Sequence, residues 1–273
     1  MVGVKQIKID FHVTENIKRF VYVYLVETED GCVLVDSGVA GSEKIIEQAI
    51  LEEEHKPSEL IAFFLPHAHP DHIGTAHYFR EKYGAKIYVS KGERAWIEDI
   101  DLQFKERPIP NFYHLAGQST TVDQMVKAGD KIYLSDSNCI KVIGTPGHSA
   151  DQVSYRIENF VFIGDSVPVR GDIPIFIDVD AARTSLEILE KLSDVEVFCP
   201  AWDKTYSGEV MKEKLKQARN LIDELESMVW ELDHGQEISV LTEQVCEKLH
   251  MPAWKNNPLF ARTVYGCRRK EEK

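Results

Sequence analysis

The sequence predicts an α+β fold, with a strand-rich body over residues 1–208 and a helical C-terminal extension over 209–273. Three observations lead there. Short β-branched and aromatic runs bounded by turn residues recur through the first 208 positions. Between them lie segments of helical period, such as the one that puts Ile45, Ile46, Ala49 and Ile50 on one face. Beyond Gly208 the strand pattern stops and a long apolar stripe begins: Leu215, Leu221, Ile222, Leu225, Met228, Val229 and Leu232. With 273 residues, 43% hydrophobic and 28% charged, the chain has ordinary globular composition and enough apolar material for a core. Global disorder, collagen-like repeats and coiled coil are excluded.

The elements follow in order. Residues 1–13 alternate as a strand does. Phe20–Glu27 and Cys32–Asp36 pair as a hairpin across the Gly31 turn. Ser42 is placed to cap a helix reaching about Glu54, with Pro57 beyond it. Leu60–Leu65 is wholly apolar, as a strand buried on both faces should be. A histidine-rich loop, a helix over Thr75–Tyr83 and a strand over Lys86–Val89 come next. Ala95–Gln124, with its prolines and aromatics, reads as a partly helical insertion covering a site. Strand pairs Asp130–Ser135 with Cys139–Ile143 and Gln152–Ile157 with Phe160–Ile163 precede helix Ala181–Leu192 and strand Glu196–Cys199. Helices Glu209–Leu232 and Thr242–Leu249 and a charged segment Arg268–Lys273 complete the chain. Val33–Ser37 and Phe162–Ser166 echo each other, each putting Asp-Ser after the second strand of a hairpin.

A formal charge of −13 repels phosphate backbones and speaks against a nucleic-acid partner. The 5 cysteines include no Cys-x-x-Cys pair, so the expectation is reduced, mostly buried thiols. The N-terminal stretch lacks the apolar core of a signal peptide, and no run reaches the about 18 apolar residues of a membrane span. A soluble cytoplasmic protein without a membrane partner is expected. The long amphipathic helix packs on the main body or forms a homodimer.

The chemistry concentrates in Pro66-His67-Ala68-His69-Pro70-Asp71-His72, which holds three of the chain's 10 histidines. In an extended segment residues two apart project from one face, so His67 and His69 can grip one ion. Pro70 favours extended geometry at His69 and suits the first position of a helix. Asp71 and His72 then fall where the chain turns, in a direction suited to a second ion. Gly147-His148-Ser149-Ala150-Asp151 begins like a nucleophile elbow but fails at its fifth position. His77 and His114 read as polar or surface histidines.

His-x-His-x-Asp-His after a buried strand resembles the signature of the metallo-β-lactamase superfamily. Asp36 resembles its upstream structural aspartate, Thr145-Pro146-Gly147-His148-Ser149 its downstream histidine element, and Gly164-Asp165-Ser166 its bridging aspartate. The resemblance covers Phe20 to Gly208 and implies an αββα sandwich of two mixed sheets with helices outside. Carried over by position, it implies that His67, His69 and His148 bind a first metal. Asp71 and His72 would bind a second, and Asp165 would bridge both. One element departs from the pattern: Trp202 stands where the family usually has a histidine, and an indole N–H only donates. Asp203, one residue on, is the candidate substitute ligand if its loop turns inward; turned outward, it is a loop residue and leaves the second ion three protein ligands.

The activity this implies is metal-dependent hydrolysis of a small-molecule ester, thioester, lactone or amide by a metal-bound hydroxide, with Asp71 as the catalytic carboxylate. One or two zinc ions suit the imidazole-rich first site, and iron or manganese would suit a carboxylate-rich second site. The alternative is an iron-dependent oxidoreductase of the same fold, acting on oxygen, nitric oxide or persulfides. Lys91–Gln124 and the helices after Gly208 are expected to wall a partly apolar cleft, with Trp96, Phe104, Phe112, Tyr113 and Trp202 supplying aromatic surface.

Overall fold

The structure, a computed structural model, describes residues 2–269, so the end of the charged segment Arg268–Lys273 lies outside the described residues. The chain forms two compact units. One comprises residues 2–144, 151–164 and 194–205; the other comprises 145–150, 165–193 and 206–269.

The first unit holds two mixed sheets. In one, β1 (Val4–Thr14), β2 (Ile17–Thr28) and β3 (Gly31–Val35) run antiparallel. Parallel strands β4 (Leu60–Phe64), β5 (Lys86–Ser90) and β6 (Gln124–Val126) then follow in spatial order. In the other, β7 (Lys131–Tyr133), β8 (Cys139–Gly144), β9 (Val153–Ile157) and β10 (Phe160–Gly164) are antiparallel neighbours, and β11 (Val197–Pro200) lies parallel to β10.

The sheets share a core in which Tyr24, Val26, Val33, Val35 and Phe64 meet Ile140, Val142, Tyr155, Ile157 and Phe162. The opposite face of the first sheet is also buried. There Val21, Val23, Leu25 and Phe63 pack with residues of α1 (Glu43–Glu52), α3 (Ala76–Tyr83), α4 (Arg94–Glu98), α5 (Ile100–Glu106) and α6 (Phe112–Ala116). α2 (Pro70–Ile73) is a single turn between β4 and α3. A strand clothed on both faces needs apolar residues at successive positions, which is why 60–65 carries no alternation. Each such side chain contributes about 1.5–3 kcal/mol relative to exposure. α1 and α3 are joined by Glu47, whose carboxylate accepts from Tyr83 Oη at 2.7 Å, Tyr78 Oη at 2.9 Å and Lys82 Nζ at 2.9 Å.

The Asp-Ser echo has a topological basis. β3 closes the β2–β3 hairpin, delivers Asp36-Ser37, and pairs in parallel with the next strand, β4. β10 closes the β9–β10 hairpin, delivers Asp165-Ser166, and pairs in parallel with the next strand, β11.

The second unit is helical: α7 (Val179–Glu190), a short strand β12 (Tyr206–Ser207), α8 (Gly208–Leu232), α9 (Ile238–Lys248) and α10 (Pro258–Gly266). The stripe expected on α8 is buried at Leu215, Leu221, Ile222, Leu225 and Val229, and α7 buries Val179, Ala182, Leu186 and Leu189. Arg183 of α7 reaches Asp223 and Glu226 of α8 at 2.7 and 2.6 Å, so α7 and α8 pack as partners. Asp178 and Ser207 accept backbone N–H bonds at the starts of α7 and α8, as N-cap residues do.

Local readings differ from the structure at β6 and β12, two short strands the sequence pattern does not announce, and at three helix starts. Ser42 stands at the α1 N-cap, but its hydroxyl donates backwards to Val39 O at 2.6 Å and caps no helical N–H. α9 begins at Ile238 rather than Thr242, whose hydroxyl bonds Ile238 O within the helix. α10, with Asn257 as its cap and Pro258 opening it, is a further helix of only nine residues beyond the sequence pattern's reach. All 5 cysteines are free thiols, and no helix among the described residues is long and apolar enough to cross a membrane.

Candidate metal centre

The histidine loop is set by the strand before it. Leu65 N–H continues the β4–β5 ladder to Tyr88 O at 2.9 Å. Pro66 O accepts from Val153 N–H at 3.0 Å, and Leu65 O accepts from the buried Tyr155 hydroxyl at 2.9 Å. The chain therefore leaves the sheet with fixed direction. His69 is extended at φ −63° and ψ 152°, and Pro70 takes the first helical position of α2, as expected from its ring.

Within this loop the imidazoles converge. His67 Nε2 and His69 Nδ1 are 3.0 Å apart, with ring centroids 4.4 Å apart. The His72 ring lies 4.1 Å from that of His67. His67 and His72 have no exposed surface and His69 retains 5%. Three buried imidazoles so arranged are a nitrogen-rich donor set of the kind that suits zinc.

His72 is oriented from behind. Its Nδ1 lies 2.7 Å from Asp36 Oδ1, so the Nδ1 proton is donated to the carboxylate and the ring is fixed in one orientation. Nε2 faces Asp71 Oδ2 at 3.5 Å. Burial raises the Asp71 carboxyl, but the charge and hydrogen bond of His72, with the guanidinium of Arg107, outweigh it and hold the group below the usual carboxylate range. The loop backbone is also tied down: Ser37 N–H donates to His72 O, and Gly74 N–H to Gly38 O. A Cβ on Gly74 would sit 2.1 Å from Ala40 N, so only glycine permits this approach.

In the second unit, His148 Nδ1 lies 2.9 Å from Ile175 O and its Nε2 lies 3.3 Å from Asp165 Oδ2. The Nδ1 proton again goes to an acceptor, which fixes the orientation of the ring. His148 follows Gly147, where an added Cβ would meet Ala182 of α7 at 2.6 Å.

Trp202 packs edge-on against Phe11 at 6.2 Å and beside Phe20 at 6.3 Å, with the Arg19 guanidinium 4.4 Å above its ring. Its indole N–H finds no hydrogen-bond partner among the described residues. The Asp203 carboxylate accepts from Lys204 N–H at 2.8 Å. Of the expected aromatic wall, Trp96 lies parallel to His69 at 6.2 Å, whereas Phe112 is a core residue. His77 bonds Ser119 O and His114 is exposed, so neither adds to the histidine group.

Sequence reasoning missed Glu93, Gln103 and Arg107, three buried polar side chains after β5. They sit in no motif, and a buried Glu, Gln or Arg in an aperiodic stretch looks like a solvated loop residue until its contacts are seen.

The profile of the Metallo-beta-lactamase superfamily matches residues 17–202. A probable metallo-hydrolase of Bacillus subtilis, YqgX, is 29% identical over 150 residues, 52% of this chain and 64% of its own length. A hydroxyacylglutathione hydrolase of Yersinia enterocolitica is 25% identical over 189 residues, 68% of this chain and 63% of its own. The matched stretch thus spans under two thirds of either relative. A metallo-beta-lactamase family protein of Thermus thermophilus superposes with a TM-score of 0.73 at 16% identity, over 97% of this chain and 91% of its own. The subclass B3 metallo-beta-lactamase BJP-1 of Bradyrhizobium japonicum superposes with a TM-score of 0.60 at 19% identity, over 79% of this chain and 92% of its own. With the profile covering the whole run from β2 to Trp202 and the two-sheet fold shared with these structures, the chain belongs to the metallo-β-lactamase superfamily.

Proposed function

We propose that the chain is a metal-dependent hydrolase of small-molecule carbonyl substrates: esters, thioesters, lactones or amides. On this reading His67, His69 and His148 would hold a first ion, Asp71 and His72 a second, Asp165 would serve both, and Asp203 would stand in for the usual histidine. The observation that supports this most is the convergence of His67 Nε2 and His69 Nδ1 to 3.0 Å in a buried loop with His72 alongside. The residues fit a metal on donor chemistry: buried imidazoles, two of them with Nδ1 already committed to Asp36 and to Ile175 O, and carboxylates beside them.

A divalent ion held by these residues would lower the pKa of a bound water to about 7 and polarise a carbonyl oxygen. Asp71, at the mouth of the histidine loop, would orient an attacking water and accept its proton. Asp36 fixes the ring of His72, and the indole of Trp96 stacks 6.2 Å from the His69 ring. Relatives named hydroxyacylglutathione hydrolase put acyl substrates at the head of the candidates.

The test is a panel of esters, thioesters, lactones, amides and phosphodiesters, assayed on protein stripped by chelator and reloaded with zinc, iron(II) or manganese. Hydrolysis of a carbonyl substrate that returns with metal and is lost in Asp71→Asn is expected. No hydrolysis with any ion, together with oxygen, nitric oxide or persulfide turnover by the iron form, would overturn the reading in favour of an oxidoreductase.

A further inference from the structure

Glu93 stands at the N-cap of α4, yet its carboxylate caps no N–H of that helix. It turns instead to two remote backbones. Oε2 accepts from Ala68 N–H at 3.0 Å, and Oε1 accepts from Asp151 N–H at 3.3 Å. Ala68 is the residue between His67 and His69. Its carbonyl is held from the other side by the Nε2 amide of Gln103, which has no exposed surface. Asp151 answers the contact, its Oδ2 accepting from Gly92 N–H at 2.6 Å. A Cβ on Gly92 would fall 2.6 Å from Asp151 Cβ, so the approach requires glycine.

Both hydrogen-bonding groups of one peptide residue are thus taken by buried polar side chains of a single segment. That residue is the spacer of the His-x-His pair. Rotation of the Ala68 backbone would swing His67 and His69 apart, and a pair of nitrogens 3.0 Å apart tolerates little of it. A carboxylate buried to 3% exposure is costly to place unless its hydrogen bonds are made, and here two of them are backbone N–H groups.

We propose that Glu93 and Gln103 are positioning residues for the His67–His69 ligand pair, clamping the Ala68 peptide so that both imidazoles present their nitrogens to one ion. The inference rests on the metal reading given above. It makes the segment after β5 a support for the histidine loop in addition to a cover.

The test uses the full chain and the metal alone. Zinc affinity is measured by competition with a chromophoric chelator, the cobalt(II) form by its visible absorption, and the metal-free protein by thermal midpoint. Glu93→Gln puts an amide NH2 against one of the two backbone N–H groups. It should weaken zinc binding about 10–100-fold and alter the cobalt spectrum. Thr242→Val, which removes an equally buried hydroxyl bond in α9, should lower the thermal midpoint and leave both metal readouts unchanged. Zinc affinity within twofold of wild type and an unchanged cobalt spectrum in Glu93→Gln would overturn the proposal. If Glu93→Gln fails to fold, Gln103→Leu decides in the same way, since it removes only the bond to Ala68 O. A wild-type chain that takes up neither ion overturns the metal reading and this inference together, whereas tight wild-type binding indifferent to both variants overturns this inference alone.

Discussion

Asp36 meets His72 at 2.7 Å, Oδ1 to Nδ1, from a backbone held at φ +77° directly after β3. A non-glycine residue in this left-handed region costs free energy, and Asp and Asn bear it best. Its backbone N–H donates to Phe64 O of β4, so the aspartate is placed by the sheet that carries the histidine loop. The upstream aspartate acts on the candidate centre through one ring.

Asp36→Asn keeps the shape and tolerates the backbone while removing the charge. It should lower activity and second-site metal affinity about 10–100-fold, with the fold retained. Activity and metal content equal to wild type would remove the role assigned to Asp36. Asp36→Ala adds backbone strain and leaves His72 Nδ1 without this partner, an additional cost of about 1–3 kcal/mol read as a lower thermal midpoint.

The second ion is the sharper question because Trp202 sits among Phe11, Phe20 and Arg19 and cannot ligate. If Asp203 replaces the histidine, the site gains an anion and shifts towards iron or manganese. Asp203→Ala should then lose about one ion per chain on dialysis and keep the first. Unchanged stoichiometry would take Asp203 out of the site.

Truncation after Gly208 removes α8, which packs against α7 and binds Arg183 through Asp223 and Glu226. The exposed α7 face should make the truncated protein aggregate, measured as soluble fraction and dye binding to apolar surface. A soluble, fully active truncation would show α8–α10 to be dispensable.

Glu47 gives a pH signature. Burial raises its carboxyl, but the bonds from Tyr83, Lys82 and Tyr78 outweigh this and hold it below the usual range. A carboxyl depressed in the folded state contributes stability above its unfolded pKa of about 4.3, and that stability is lost as pH falls through the folded value. Glu47→Gln should therefore lower the thermal midpoint at pH 7, with the gap to wild type closing in acid. A gap independent of pH would contradict this.

Much of the fold and the placement of the histidine loop could be read from residues that act locally. The apolar run 60–65 announces a strand buried on both faces, and Pro70 both extends His69 and opens α2. What stayed hidden depends on partners distant in sequence. Glu93 takes its meaning from Ala68 and Asp151, 25 and 58 positions away, and nothing at Glu93 itself signals either. Ser42 shows a local failure: the right residue stands at the cap, but Val39 O offers its hydroxyl a better partner than a helical N–H. The pairing of α7 with α8 was equally invisible, because an apolar stripe declares that it is buried but not against what.

The most direct test is metal content per chain in wild type and in His67→Ala, measured by elemental analysis after identical dialysis and paired with hydrolysis of the best substrate. Wild type should retain at least one ion, and His67→Ala should lose that ion and the activity while keeping its fold. Wild-type metal content and full activity in His67→Ala would contradict the assignment of the histidine loop as the metal centre.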